Sequence, residues 1–447
     1  MCVWCVVPLR HFLVMNRVEF ERCYDRLSRC QKNVLHLFLA YESDEAIAQE
    51  LDCGQSNVRR HLSNICQIFG LTNDEGEHYS YRWDLVEIFL AYQPEKVDKR
   101  WPEKLGLLPE KPRFPGRPMV VGSKFYVDRP LVDTVCCDEI ERAGALIRIR
   151  APRKMGKTSL LNKIMKYAQD KGYHTVTLPF YSLGAEILED LEKFLWWLCD
   201  SMGTELGLDP QVDAYTKAVH RVGAAGSCRR YIQNILREVK GPLVVGLDQV
   251  DVLFDYPAIA ATFFGLLRGW SEEAKTHELW GQLRQVVIYS TDVYIDLDLH
   301  QSPFNVGLPI SLEELASEQV QELARRYGLK SLVKGDLKTL MDLVGGHPHL
   351  LQLAFYHLYE GKVTLPEILE SADSPTGIYA NHLATLKDAL ESHPPLMESL
   401  QTILASAEPV EISAIAAKKL EGLGLVKRRH SRVEIRCKLY RRYFQTV

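Results

Sequence analysis

A glycine, a lysine and two hydroxyl residues in succession can hold a phosphate when they close a tight turn and open a helix. The chain has this combination at Gly156, Lys157, Thr158 and Ser159. The preceding turn runs Ala151-Pro152-Arg153-Lys154-Met155. The pattern is G-x-x-x-x-G-K-[ST] with Ala151 in the place of the first glycine. Its chemistry needs backbone N–H groups that converge on phosphate oxygens at a helix N-terminus, where the helix dipole favours negative charge. Gly156 permits close approach, Lys157 reaches the outer phosphates, and the Thr158 hydroxyl is a Mg2+ ligand. Ala151 is tolerable if its φ stays negative, because its Cβ is small. Ala151, Met155, Gly156, Lys157, Thr158 and Ser159 are therefore the expected nucleotide contacts.

A carboxylate at the end of a buried strand completes such a site. Pro242-Leu-Val-Val-Gly-Leu-Asp248 supplies one ninety residues after Thr158, and Asp248 is the second expected Mg2+ ligand. The next residue is Gln249, where a proton-accepting Glu would favour hydrolysis. An amide can orient water but cannot usefully take its proton. Asp251 is a candidate substitute. A further strand, Gln285 to Tyr289, ends in Ser290-Thr291, and Thr291 and Ser290 are the candidate contacts to the terminal phosphate or the attacking water. Arg268 and Arg284 are either arginine fingers of an oligomer or ordinary ion-pair partners.

The elements that position these residues follow from hydrophobic period. Ala145 to Arg150 reads as the strand before the phosphate turn, Thr158 to Lys171 as the helix after it, and His174 to Leu178 as a second strand. An amphipathic helix follows through Leu188 and Leu198, where Trp196-Trp197 is read as packing. The segment Phe125-Tyr126-Val127-Asp128-Arg129-Pro130 offers an aromatic and an arginine to border a base, or is a plain turn. Further helices are expected over Ser311–Tyr327, with Ser311 as cap, over Asp336–Leu343 and over His349–Tyr359. The break Gly346-His347-Pro348 is a simple helix–helix turn or, by its resemblance to the G-x-P turn of STAND ATPases, implies Pro348 as a nucleotide contact. Near the C-terminus, two helices and a hairpin turning at His430-Ser431 give a winged-helix order. Between Lys418 and Arg442 only Glu421 and Glu434 are acidic. That basic stretch suits nucleic acid or an acidic surface of the chain itself.

Near the N-terminus, helices are expected over Val18–Tyr24, Gln31–Leu39, Asp44–Leu51, Gln55–Phe69 and Tyr79–Tyr92, with a tight turn at Asp52-Cys53-Gly54. A short helix, a tight turn and a longer helix is the helix-turn-helix order. Gln55, Ser56, Asn57, Arg59, Arg60 and His61 form the polar face for DNA or a protein partner. No acidic residue lies between Gln55 and Gly70. Six prolines between 94 and 118 read as an exposed, semi-rigid linker. Residues 1–14 are apolar without a basic start or a cleavage pattern, and read as an extension or disordered arm.

Composition is ordinary for a globular chain of 447 residues, with room for two to four domains. The net charge of −4 excludes a uniformly basic nucleic-acid coat. The 11 cysteines are irregularly spaced, so a reduced, cytoplasmic protein is expected, and Cys2 with Cys5 lacks a second ligand pair for zinc. No apolar run approaches the ~20 residues of a membrane span.

Residues 27–65 resemble the LuxR/GerE helix-turn-helix through Leu27-Ser28-x-x-Gln31, Ser43 to Leu51 and Val58 to Ile65. From about 119 onward the chain resembles the bacterial AAA-like domain family. The matching stretches are FYVDRP, GALIRIRAPRKMGKTSL, PLVVGLDQVDVLF, SPFNVGLPISL, LVGGHPHL and LYRRYF. The N-terminal module looks like the one preceding this domain in vWA–MoxR-associated proteins. The resemblance implies a multi-domain chain: an all-α helix-turn-helix N-terminus (15–93), a linker (94–118), an α/β P-loop NTPase core with a parallel sheet (119–310), a helical lid (311–394) and a C-terminal winged helix (395–447). It implies a STAND-type switch that binds ATP and Mg2+ and acts as a slow ATPase, with a homo-oligomer as one option. The alternative is a DNA-binding regulator whose nucleotide fold is structural.

Overall fold

The structure, a computed structural model, describes residues 17–71, 81–101, 111–209, 212–290 and 303–446. Contact density divides the chain into two compact units, Met1–Lys111 and Pro112–Val447. Among the described residues no helix is long and apolar enough to cross a membrane.

The first unit is helical: α1 (Arg17–Asp25), α2 (Arg29–Leu39), α3 (Asp44–Glu50), α4 (Gln55–Ile68) and α5 (Arg82–Tyr92). Local chemistry fixes the starts. The Ser28 hydroxyl accepts from Gln31 N–H while Gln31 Oε1 accepts from Ser28 N–H, a capping box that closes two open donors. Ser43 caps α3 through Ala46 N–H. Val34, Leu35, Phe38, Ile47, Val58, Leu62, Ile65, Phe69, Leu85 and Phe89 make the core. The expected exposed linker is corrected at its start. Pro94–Lys96 forms a single 3-10 turn, and Val97 and Trp101 are buried in this same core. Trp101 Nε1–H donates to Phe38 O at 3.0 Å, so an indole supplies both area and a hydrogen bond where proline content suggested an open strap.

The second unit begins with α6 (Pro130–Glu141), β1 (Leu146–Arg150), α7 (Lys157–Asp170) and β2 (His174–Pro179). It continues through α8 (Leu191–Glu205), α9 (Val212–Val239, kinked at Gly223), β3 (Leu243–Asp248), α10 (Pro257–Glu273), β4 (Leu283–Tyr289) and β5 (Leu308–Ser311). The five strands are parallel in the order β2-β3-β4-β1-β5. Their side chains alternate between two cores. Ile147, Ile149, Val244, Val286 and Ile288 face α6 and α7 residues such as Cys136, Ile140, Leu161 and Ile164. Leu146, Val245, Leu247 and Val287 face the cluster that holds Phe194, Ile232 and Phe263. A sheet covered on both faces explains the near-continuous apolar runs of its strands.

Beyond the sheet lie α11 (Ser317–Arg326), α12 (Lys334–Val344), α13 (Pro348–Tyr359), α14 (Ala380–Glu391), α15 (Pro394–Leu404), α16 (Ala414–Leu423), the antiparallel hairpin β6 (Val426–Arg429) and β7 (Arg432–Ile435), and α17 (Lys438–Gln445). The expected helix from Ser311 is corrected. Ser311 ends strand β5, paired with Arg150, and the helix starts at Ser317. A separate lid and C-terminal domain divided at 394/395 are also corrected: one continuous apolar core runs from Leu315 through Leu350, Leu383 and Leu400 to Leu439 and Phe444.

Candidate functional site

The strand order decides where the site falls. The chain leaves β1 for β2 at one edge of the sheet, while β5 pairs on the other side of β1. The C-terminal ends of β1, β4 and β3 therefore open on a crevice. The phosphate turn, Ser290 and Asp248 all sit at those ends. Arg150 pairs with Tyr289 across β1 and β4, and β3 follows β4.

The loop has the backbone its residues dictate. Gly156 adopts φ 95°, a left-handed conformation natural to glycine, and opens α7. Lys154 is left-handed too, at φ 61°. Ala151 is not among the positive-φ residues, as its side chain requires, and its N–H donates to Tyr289 O at 3.4 Å. It extends the sheet rather than lining the cleft. Lys157 is 6% exposed and donates from Nζ to Ala151 O at 2.7 Å and Pro152 O at 3.0 Å. Burial pushes its ammonium down to about 8, against the pull of Asp251 and Asp248.

Thr158 Oγ1–H donates to Asp248 Oδ2 at 2.9 Å, so the two expected metal ligands meet. Asp248 is buried, and its other oxygen, Oδ1, has no hydrogen-bond partner. Burial raises this carboxyl above its ordinary value, although Thr158 and Lys157 lower it. A buried oxygen without a donor beside a hydroxyl is the hard-oxygen pair that suits Mg2+, whose remaining ligands are usually water and phosphate.

A cleft of about 440 Å³ opens over the loop. Its lining includes Met155, Gly156, Lys157, Thr158, Ser159, Gln249 and Ser290 from the core, and Pro348, His349 and His382 from the helices. Pro348, Met155 and Gln249 thus line one cleft with the loop. Ser159 differs: its hydroxyl accepts from Met119 N–H at 3.0 Å and pins the strap 116–119, which forms a wall of the cleft. That strap is the end of the stretch read from sequence as open linker. Tyr126 and Arg129 also line the cleft. The Tyr126 hydroxyl donates to Asp133, and Arg129 donates to Met155 O and Glu313 O.

Other expected residues fall elsewhere. Asp251 does not line the cleft. Its carboxylate accepts from Ser290 N–H at 3.0 Å and braces the turn after β3 against the end of β4. Thr291 lies outside the described residues. Arg284 is corrected as a finger: it is the second residue of β4, at the far end from the loop, and is buried, donating to Ile140 O, Gly281 O and Gln282 O. Arg268 sits 3.8 Å from Glu272 on the same helix.

In the first unit Gln55, Ser56, Arg59 and Arg60 are exposed on α4, while Asn57 and His61 are half-buried. Arg59 Nε is 3.1 Å from Asp44, which also pairs with Arg82 at 2.8 Å, so one of the two arginines is held to its own unit. His61 lies 3.7 Å from Cys30 Sγ.

Residues that the sequence left unassigned complete the picture: the strap 116–119, Gln352, His382 and Thr385. Gln352, His382 and Thr385 sit on helices over the loop and the strap on irregular chain beside it, so only the fold reveals them.

A solved Walker-type ATPase of Pyrococcus abyssi superposes with a TM-score of 0.54 at 12% identity, covering 74% of this chain and 99% of that one. The ORC2 protein of Aeropyrum pernix in its ADPNP–ADP complexes gives 0.41 at 15% identity, covering 75% and 97%. An uncharacterized WD repeat-containing protein of Synechocystis sp. is 24% identical over 219 residues, 47% of this chain and 18% of that protein. The model of the AAA-like domain matches residues 114–446, the whole of the sheet, the cleft and the helices over it, and the chain belongs to that family.

Proposed function

We propose that residues 112–446 bind ATP with Mg2+ in the cleft over the phosphate loop and act as a STAND-type nucleotide switch with slow hydrolysis. The observation that carries this is the 2.9 Å contact of Thr158 with Asp248, whose second oxygen is buried without a partner, beside the buried Lys157. Thr158 and Asp248 would hold Mg2+, which supplies charge neutralisation of the phosphates. Lys157 binds phosphate, the strap 116–119 and Pro348 close the cleft, and Gln249 orients water without taking its proton. Calorimetric titration of the full chain with ATP and Mg2+ tests the reading. Lys157→Ala is expected to weaken binding by about tenfold or more, the worth of a charged hydrogen bond. Unchanged affinity refutes it.

The first unit is read as a helix-turn-helix that passes nucleotide state to DNA or a protein partner, and the C-terminal helices with their hairpin as a winged helix. Oligomerisation is one way to transmit the change. A second reading, a DNA-binding regulator with a largely structural nucleotide fold, draws on the exposed Arg60 and the acid-free length of α4. Gel shifts on random duplexes separate the two. DNA retained by the wild type and lost with Arg59→Ala plus Arg60→Ala favours it, and no retained DNA at low salt removes it.

A further inference from the structure

The cleft holds a second lysine. Lys154, in the left-handed backbone of the loop, places Nζ 3.3 Å from His349 Nε2 and 3.3 Å from His382 Nδ1. His349 follows Pro348 at the start of α13, and His382 is on α14. A charged ammonium has hydrogens and no lone pair, so both ring nitrogens must accept. That fixes the tautomers: His349 carries its proton on Nδ1 and His382 on Nε2. The His382 Nε2–H then donates to the Tyr440 hydroxyl at 2.8 Å, and Tyr440 is fully buried on α17. Burial, and then Lys154 itself, push both imidazoles down to about 3, so they stay neutral acceptors. A line of hydrogen bonds thus runs from the phosphate loop through α14 to the last helix. A metal is a poor alternative occupant, because a cation already stands between the rings. Among the described residues no group of three or more His, Cys, Asp or Glu could hold one.

We infer that Lys154 is a second phosphate-binding cation of this cleft, held by His349 and His382 in place of a phosphate, so that nucleotide and the helices over the loop compete for the same ammonium. This rests on the nucleotide reading above. Lys154, His349 and His382 line the same cleft as Lys157 and Thr158, so a phosphate on the loop comes within the reach of a four-carbon side chain. A phosphate oxygen is the better partner, since it carries the opposite charge and adds a Coulombic attraction that a neutral imidazole lacks. The transfer leaves two buried imidazole acceptors without a donor, a cost that falls on α13 and α14 and loosens them from the loop. Affinity for phosphate and tightness of the helices are then opposed through one side chain.

A double-mutant cycle on the full chain, read by calorimetry with MgATP and with adenosine, tests this. Lys154→Met is expected to weaken MgATP by about tenfold and leave adenosine unchanged. His349→Phe with His382→Phe is expected to tighten MgATP by about threefold or more, because the lysine is released. In the Lys154→Met background the same Phe pair is expected to change nothing. His382→Asn, which keeps an acceptor near Nδ1, is expected to keep wild-type affinity, and His349→Leu alone, which removes one acceptor, completes the cycle with Lys154→Met should the Phe pair fail to fold. Additive effects, or equal losses for adenosine and MgATP, overturn the shared lysine while nucleotide binding stands. Wild-type chain that does not bind MgATP, or binds it equally with Lys157→Ala, overturns both.

Discussion

Glu314 links the sheet to everything that follows it, and replacing its charge should loosen that junction measurably. It lies between β5 and α11, and its carboxylate accepts from Gly346 N–H at 3.2 Å, Lys427 Nζ at 3.0 Å and Arg436 Nη1 at 3.0 Å. The Arg436 side chain is 7% exposed and that of Glu314 21%, so this is a largely buried pair. Removing one partner of such a pair costs about 3–5 kcal/mol, because the other charge stays buried. Arg436 keeps Gly424 O at 2.8 Å and Val426 O at 3.2 Å, which lowers the figure. For Glu314→Gln, about 2–3 kcal/mol is expected. Urea unfolding of the second unit, followed by tryptophan fluorescence, reads it. Acid adds a second signature. Burial alone would raise the Glu314 carboxyl, but Lys427, Arg436 and the Gly346 N–H outweigh it and hold the group below its ordinary value. A depressed carboxyl contributes stability that is present above the unfolded value of about 4.3 and is lost as pH falls through the folded one. The wild type should therefore lose stability more steeply in that window than Glu314→Gln, and the two should converge below it. A loss under about 1 kcal/mol at neutral pH, or parallel acid profiles, refutes the reasoning.

Gly346→Ala puts a Cβ 2.2 Å from Leu315 O and 2.9 Å from Glu314 Cβ. A destabilisation of at least about 1–3 kcal/mol is expected in the same urea assay, and an unchanged midpoint would show that the turn yields. Trp101→Ala removes an indole packed on Phe38 and Tyr41, both with ring centroids at 4.9 Å, together with its hydrogen bond to Phe38 O. About 3–5 kcal/mol should be lost, seen as faster hydrogen exchange in α2 of the full chain; unaltered exchange contradicts the extended first unit. Gln249→Glu introduces a proton acceptor at the cleft wall, and steady-state phosphate release should rise by about a hundredfold. Equal rates would mean that Gln249 is not what limits turnover.

The strands β1, β2, β3 and β4 and helix α7 were legible because each combines a strong apolar period with a loop of fixed chemistry. In the first unit the helix expected from Asp44 starts there, capped by Ser43, whereas the helix expected from Gln31 starts at Arg29 because Ser28 caps it. What escaped has physical reasons. Strand β5 is four residues long and contains Pro309, so its pairing with β1 decides it, not its composition. Helix α9 bends at Gly223, which breaks the period that would announce it. Helix α14 has its buried side on Leu383, Leu386 and Leu390, a stripe interrupted by His382. Val97 and Trp101 were hidden by their prolines. Of the site, the loop, Asp248 and Pro348 were readable because each belongs to a spacing. Ser159 pinning the strap, and the histidines on Lys154, were not. They pair with partners 40, 195 and 228 positions away in the chain, and no local pattern carries that distance.

Several polar groups of the phosphate loop are already bonded within the protein. Lys157 is bonded to Ala151 O and Pro152 O, Thr158 to Asp248, Lys154 to two histidines, and the Arg153 N–H to Gly422 O at 2.9 Å. A phosphate therefore takes these groups by exchange, and each such bond replaces one that exists, for a net of about 1 kcal/mol rather than the full strength of the new contact. The partners given up fall into two groups. Ala151, Pro152 and Asp248 belong to the sheet and its loop, and losing them changes nothing outside. Gly422, His349 and His382 belong to the helices that share a core with the final hairpin, and losing them releases those helices from the loop. A ligand shifts a conformational equilibrium only by its differential interaction with the two states. On the proposed exchange, that differential would sit at Arg153 and Lys154, one turn before the lysine that the motif names.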